Sequence, residues 1–179
     1  MLKKFVLGGM TALVLAACGG EGGSASSSAP AQSANASGSL IERINNKGTI
    51  TVGTEGTYAP FTYHDKDGKL TGYDVEVTRA VANKLGVKVE FKETQWDSMM
   101  AGLKAGRFDV VANQVGLTSP ERQATFDKSE PYSWSGAVLV ARNDSNIKSI
   151  DDIKGIKTAQ SLTSNYGEKA KAAGADLVP

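Results

Sequence analysis

The residues best equipped for chemistry come in a loop. Thr54-Glu55-Gly56-Thr57-Tyr58-Ala59-Pro60-Phe61 carries an acid, hydroxyls and two aromatic rings. It follows Thr49-Ile50-Thr51-Val52-Gly53, a β-branched run stopped by glycine that reads as a short buried strand. A strand that delivers hydroxyls and an aromatic face to its C-terminal end places contacts where open α/β sheets bind ligands. The pattern is that of a binding site.

Three further places offer recognition chemistry. Trp96, beside Gln95 and Asp97, stands between an expected strand and helix. It either plugs the core or forms one wall of a pocket whose other wall is Tyr58; two aromatic planes make a slot that stacks on a flat or aliphatic ligand. Arg122 falls in the first turn of an expected helix, where a cation opposes the macrodipole. That placement points to a nearby anion, and a guanidinium fork matches a carboxylate. The alternative is a surface arginine paired with Glu121 or Asp127. Asn113-Gln114-Val115-Gly116 precedes it, and Gly116 lets a backbone N–H approach a ligand closely. Ser161-Leu162-Thr163-Ser164-Asn165 leads into a last helix, offering N–H groups and hydroxyls either to an anion or simply as caps.

Other chemistries find little support. His64 is the sole histidine and sits in a hairpin, which argues against a catalytic triad or a histidine-based metal site. Asp65-Lys66-Asp67-Gly68 resembles the front of a calcium loop but lacks the third acid and the distal glutamate, and reads as a turn. The sequence contains no Walker or dinucleotide fingerprint, so no cofactor and no metal is expected.

The elements that must position these residues alternate. Leu40 to Ile44 reads as a lead-in helix ended by Asn46-Lys47-Gly48. Thr62-Tyr63-His64 and Lys69 to Tyr73 flank the polar turn as a hairpin, and Asp74 is expected to cap the next helix. In that helix Val77, Val81 and Leu85 stack at four-residue spacing, with Gly86 as the stop. Val87, Val89 and Phe91 alternate with charged residues as a strand; Met99, Met100 and Leu103 form the buried stripe of a helix stopped by Gly106; Phe108 to Ala112 is a third strand. Near Arg122, Thr118 with Glu121 has capping-box spacing, while Ser119 with Pro120 fits an N-cap followed by proline; either serves. Ser135 to Arg142 is a long apolar strand centred on Gly136 to Ala141, and beyond it come a short helix around Ser149 to Ile153, a strand at Lys157-Thr158-Ala159, a helix from Asn165 to Ala173 and a strand at Asp176-Leu177-Val178. This β-α-β-α-β order argues for an α/β sheet with helices on its faces.

The N-terminus reads as a targeting segment. Lys3 and Lys4 precede an apolar run, Phe5 to Ala17, shorter than the ~20 residues that cross a bilayer. Leu15-Ala16-Ala17-Cys18 resembles a bacterial lipobox, in which the cysteine receives lipid; the alternative is an ordinary cleaved signal with a free thiol. Without residues 1–17, basic residues fall from 20 to 18 against 19 acids, a net charge of −1, and nothing suggests nucleic acid. Gly19 to Ser39, mostly Gly, Ser and Ala, is a flexible tether with an r.m.s. span of ~25 Å. The expected organisation is a signal peptide at 1–17, a tether at 18–39, a first lobe at 40–139 and the start of a second at 140–179. The second unit is near the ~40-residue limit for independent folding, so the chain reads as the N-terminal part of a longer protein.

In combination, several pieces resemble the polar amino-acid solute-binding proteins of ABC importers, family 3 of the extracellular binding proteins. They are Gly53-Thr54-Glu55, Tyr58-Ala59-Pro60-Phe61, Gly68 to Val75, Trp96-Asp97, Leu103 to Gly106, Asp109, Asn113-Gln114-Val115, Pro120-Glu121-Arg122, Phe126-Asp127 and Pro131-Tyr132. Asn113-Gln114-Val115 looks most like the cystine-binding branch. The resemblance implies a periplasmic-binding-protein-like two-lobed clamshell, with lobe one nearly complete and lobe two truncated, closing on one amino acid. By the same resemblance Tyr58 and Trp96 flank the ligand side chain and Arg122 holds the α-carboxylate. Gln114 and Gly116 line the α-carbon end, and Ser164 lends its N–H. It implies an ABC permease and a membrane, reached through lipidated Cys18, as partners. Two departures accompany the match: a residue inserted between Thr118 and Arg122, and Gly116 where a hydroxyl residue is common. An enzyme on the same fold, of the cyclohexadienyl dehydratase kind with Glu55 as acid or base, and a surface adhesin or sensor are the rival readings.

Overall fold

Capping and β-branched runs set the first elements. The computed structural model describes residues 38–179; the signal-peptide and Cys18 readings, and most of the tether, lie outside them. Helix α1 (Leu40–Lys47) opens with a reciprocal capping box between Ser39 and Glu42 and closes at Gly48, φ 67°. Strand β1 (Thr49–Thr54) is buried from Ile50 onward. The expected hairpin is present as β3 (Thr62–His64) and β4 (Leu70–Thr71), and the loop contributes an additional strand, β2 (Thr57–Tyr58). The Asp65 carboxylate accepts from the N–H groups of Asp67 and Lys69, so Asp65–Gly68 is a turn.

Helix α2 (Tyr73–Leu85), strand β5 (Lys88–Glu93), helix α3 (Trp96–Lys104) and strand β6 (Val110–Val111) come next in the chain. The parallel sheet has the order β5-β1-β6, with Val52 opposite Phe91 on one side and Val110 on the other. The chain therefore steps to one side of β1 and then crosses to the other, which brings the carboxyl ends of β1 and β6 together. Ile44, Ile50, Val52, Ala82 and Ala112 form the core beneath, with Val87, Val89, Phe91 and Val110 against it. Phe108 wedges between β1 and α3; a Cβ at Gly53 or Gly102 would come within 2.7 Å of its ring. Helix α4 (Pro120–Thr125) follows, then a 3-10 turn (Ile150–Ile153), β7 (Lys157–Ala159), α5 (Asn165–Ala172) and β8 (Asp176–Val178), with β7 and β8 paired in parallel.

Several expectations are corrected. Asp74 does not cap α2: the N-cap is Gly72, and the Asp74 carboxylate is fully buried and bonded elsewhere. The face of α2 that packs on the sheet is Val75, Thr78 and Ala82; Val81 and Leu85 are exposed, because the sheet covers the neighbouring stripe. In α3 only Met99 of the expected stripe is fully buried, while Met100 and Leu103 are half-buried along an open groove. The third strand is shorter than its apolar run, since only Val110 and Val111 find partners on β1. Gly136 to Ala141 forms no strand: Val138 and Val140 are 84% and 88% exposed, with no strand among the described residues to pair with. At α4 the choice of cap resolves to Ser119, whose hydroxyl accepts from the Arg122 N–H, with Pro120 at the first helical position.

Candidate ligand-binding cleft

The two strand ends that meet at the top of the sheet are tied by buried polar side chains. Asn113, just after β6 and 1% exposed, accepts through Oδ1 from the Glu55 N–H (2.8 Å) and from Thr54 Oγ1 (3.3 Å). Thr54 Oγ1 also bonds Thr62 Oγ1, which in turn accepts from the Gly56 N–H. At the other end of β6, Asp109 Oδ2 accepts from the N–H and hydroxyl of Thr51. A buried polar group without a partner costs ~1–3 kcal/mol, so this satisfied network holds the loop from Glu55 to Tyr58 in one geometry.

Above it opens part of a long groove of about 1380 Å³, whose lining also includes Leu40, Ile50 and Asp109 from the opposite end of the strands. Glu55, Tyr58, Trp96, Gln114, Gly116 and Ser164 all line it. Six of the seven site residues expected from sequence therefore line this one groove. Tyr58 is 45% exposed and its ring lies 5.1 Å from that of Phe61. Trp96 is the first residue of α3, and its indole N–H is buried without a partner among the described residues.

Arg122 is the exception, lying behind the cleft wall at 7% exposure. It is neither a surface arginine nor paired with Glu121 or Asp127. Nη1 donates to the Gly116 carbonyl (2.9 Å), Nη2 donates to the Thr163 carbonyl (2.5 Å), and the guanidinium sits 5.6 Å from the centre of the Trp96 ring. Two of its five N–H donors are thus taken by main chain, and the cation–π contact fixes the plane of the fork. Thr163 is held a second time, its N–H and hydroxyl both donating to Asp97 Oδ1 (3.2 and 2.8 Å). With Asn165 Nδ2 donating to Thr118 Oγ1, these bonds fasten the loop before α5 to the first sheet unit.

Ser164 is the N-cap of α5, and its hydroxyl accepts from the Tyr166 N–H. Its own N–H donates to the Ser161 carbonyl at 3.2 Å. Gly116 lies close to Asn165: a Cβ there would meet Asn165 Nδ2 at 3.4 Å. The residues that sequence reasoning missed are Asn113, Asp97 and Thr163. Asn113 had a signal, an amide directly after an apolar strand at the ligand-binding edge; Asp97 and Thr163 lie in segments singled out above, but nothing in the sequence pairs residues 66 positions apart.

Aromatic rings, a helix-capping serine and, beside them, a buried arginine are thus gathered at the carboxyl edge of one α/β sheet. The chain belongs to the bacterial extracellular solute-binding proteins, family 3, whose pattern matches residues 50–174. It is 60% identical over 142 residues to a probable amino-acid ABC transporter-binding protein of Haemophilus influenzae, covering 79% of this chain and 55% of that one. It is 61% identical to the L-cystine-binding protein TcyA of Bacillus subtilis, covering 78% of this chain and 52% of the relative. Among solved structures it is similar to the L-cystine solute receptor of Neisseria gonorrhoeae in its unliganded open conformation, at 96% identity and a TM-score of 0.53, over 79% of this chain and 60% of that one. It also resembles an ancestral amino acid-binding protein described as a precursor of cyclohexadienyl dehydratase, at 37% identity and a TM-score of 0.70, over 78% of this chain and 64% of that one. The chain spans about half the length of the curated relatives it matches. Its fold is thus the periplasmic-binding-protein-like α/β fold.

Proposed function

We propose that the protein captures a polar amino acid, L-cystine, and delivers it to the permease of an ABC importer. The observation that carries this reading is the convergence of Glu55, Tyr58, Trp96, Gln114, Gly116 and Ser164 on one cleft, with the Arg122 guanidinium directly behind it. Tyr58 and Trp96 supply apolar walls for the ligand side chain. Arg122, with about three N–H donors beyond those given to Gly116 and Thr163, holds the α-carboxylate. The Ser164 hydroxyl adds a donor at the same end, and Glu55 offers a negative charge to the ammonium. The similarity to two cystine-binding proteins supports cystine as the ligand.

Residues 40–139 serve as the first lobe and 140–179 as the beginning of the second. Cys18 carries lipid that holds the protein at the membrane, with residues 18–39 as the tether. The protein is a binder, not an enzyme: Glu55, the acid in the slot, has its main chain and side chain engaged by Asn113. Isothermal titration of L-cystine and of the common amino acids into the intact protein tests the reading. Saturable heat with cystine is expected, with the ligand recovered unchanged. No heat with any amino acid, or conversion of the ligand, would overturn it.

A further inference from the structure

Asp74 is the most deeply buried carboxylate among the described residues, and helix capping does not use it. It lies in the first turn of α2 at 0% exposure. Its Oδ2 accepts from the Gln114 N–H at 2.7 Å and its Oδ1 accepts from Gln114 Nε2 at 2.6 Å. The Tyr132 phenol lies beside the same carboxylate. Both ends of Gln114 are thereby gripped by a residue 40 positions away. On its other side, Gln114 Oε1 accepts from Ser133 Oγ at 2.9 Å, and the Tyr73 hydroxyl donates to the Tyr132 carbonyl at 2.7 Å.

Gln114 needs such a grip. It is the one non-glycine among the described residues with positive φ, at 50°. A residue with a Cβ enters that left-handed region only when surrounding bonds hold it there. Gln114 lies three residues beyond β6, and from it the main chain runs along the cleft through Val115 to Gly116. We infer that Asp74 is a positioning residue for ligand capture, which holds Gln114 in its left-handed turn and so sets the path of residues 114–116 along the cleft. The inference rests on the binding function proposed above for that cleft.

The chemistry requires a carboxylate. Two Gln114 donors converge, one on each oxygen, and only an ionised carboxylate accepts on both oxygens without presenting a hydrogen of its own. An amide at this position would turn an NH₂ group against one of the donors. Burial pushes the Asp74 carboxyl up from the usual range while the bonds from Gln114 and Tyr132 pull it back. The Tyr132 phenol is pushed up in turn, by its own burial first and by the Asp74 charge beside it.

The test is a double-mutant cycle on the intact protein, Asp74→Asn, Gln114→Gly and the pair, read by L-cystine titration and by the main-chain amide resonance of position 114 in ¹⁵N-labelled protein. Asp74→Asn is expected to weaken binding about tenfold, equivalent to about 1.4 kcal/mol. It should also move the position-114 amide proton far more than those of Leu103 or Lys104. In the Gln114→Gly background, where positive φ carries no steric penalty, the same substitution should change affinity less than about threefold. Tyr132→Phe, which removes the hydroxyl beside the carboxylate and keeps the ring, should shift the Gln114 amide and the affinity in the same direction by less, and decides the matter if Asp74→Asn fails to fold. Equal losses in both backgrounds, or an unmoved Gln114 amide, would overturn the inference. If the wild type binds no amino acid, the proposed function falls, whereas the amide response still reports whether Asp74 sets the turn.

Discussion

Arg122→Lys separates the carboxylate-binding role of this residue from its role as an internal strut. The guanidinium bridges the Gly116 and Thr163 carbonyls and stacks on Trp96 at 5.6 Å. An ammonium keeps the charge but concentrates it at one point, so it cannot span both carbonyls and still present a two-pronged face to a ligand. The strut loses one charge-assisted bond, ~1.5–3 kcal/mol, and part of a buried cation–π contact, ~0.5–2 kcal/mol. A net destabilisation of about 2 kcal/mol lowers the melting temperature by roughly 4–8 °C for a domain of this size. Binding loses one of two bonds to the α-carboxylate, ~1.5–3 kcal/mol, which weakens L-cystine affinity roughly 10–150-fold. Arg122→Ala leaves both carbonyls without a donor and should abolish measurable binding. Calorimetry and thermal unfolding on the same samples give both numbers. A fall in melting temperature with affinity unchanged within about threefold would show that Arg122 only braces Gly116 and Thr163, and the carboxylate role would be lost.

Other substitutions probe separate links. Asp97→Ala removes both bonds to Thr163; as the pair is exposed, the loss is ~1–2 kcal/mol, read as faster hydrogen exchange at Thr163 and Ser164 with little change at β1. Gly53→Ala drives a methyl into the Phe108 ring, where the nearest atom is 2.7 Å away, and should destabilise by ~1–3 kcal/mol in urea unfolding. Folding stability should also carry a signature of Asp74. Its carboxyl is raised above the ordinary 3.8, chiefly by burial, so the folded state binds its proton more tightly than the unfolded chain does. The resulting contribution is complete below pH 3.8 and is lost as pH rises through the raised value. Urea midpoints should therefore show wild type losing ground relative to Asp74→Asn across that interval; the opposite slope would mean that the hydrogen bonds outweigh burial.

What was legible in the sequence was local. Strand β1, the hairpin, the helix stops at Gly48 and Gly86, and the β-α-β-α-β order of the first sheet all follow from β-branched runs, turn residues and apolar periodicity within a few positions. The residue types at the carboxyl ends of the strands pointed to one place, and six of those seven residues line the cleft. The burial of each helix face was not legible, because apolar stripes such as Val77-Val81-Leu85 exist on more than one side of α2 and only packing against the sheet selects Val75, Thr78 and Ala82. Nor was the destination of Asp74, which has the composition and place of a cap. Its buried carboxylate gains more from the two donors of Gln114 than from one N–H of its own helix, and that choice is made only when α2 and the segment after β6 meet in space. Pairing across 40 or 66 positions leaves no periodic trace in a chain, so Asp74 on Gln114 and Asp97 on Thr163 belong to the tertiary structure alone.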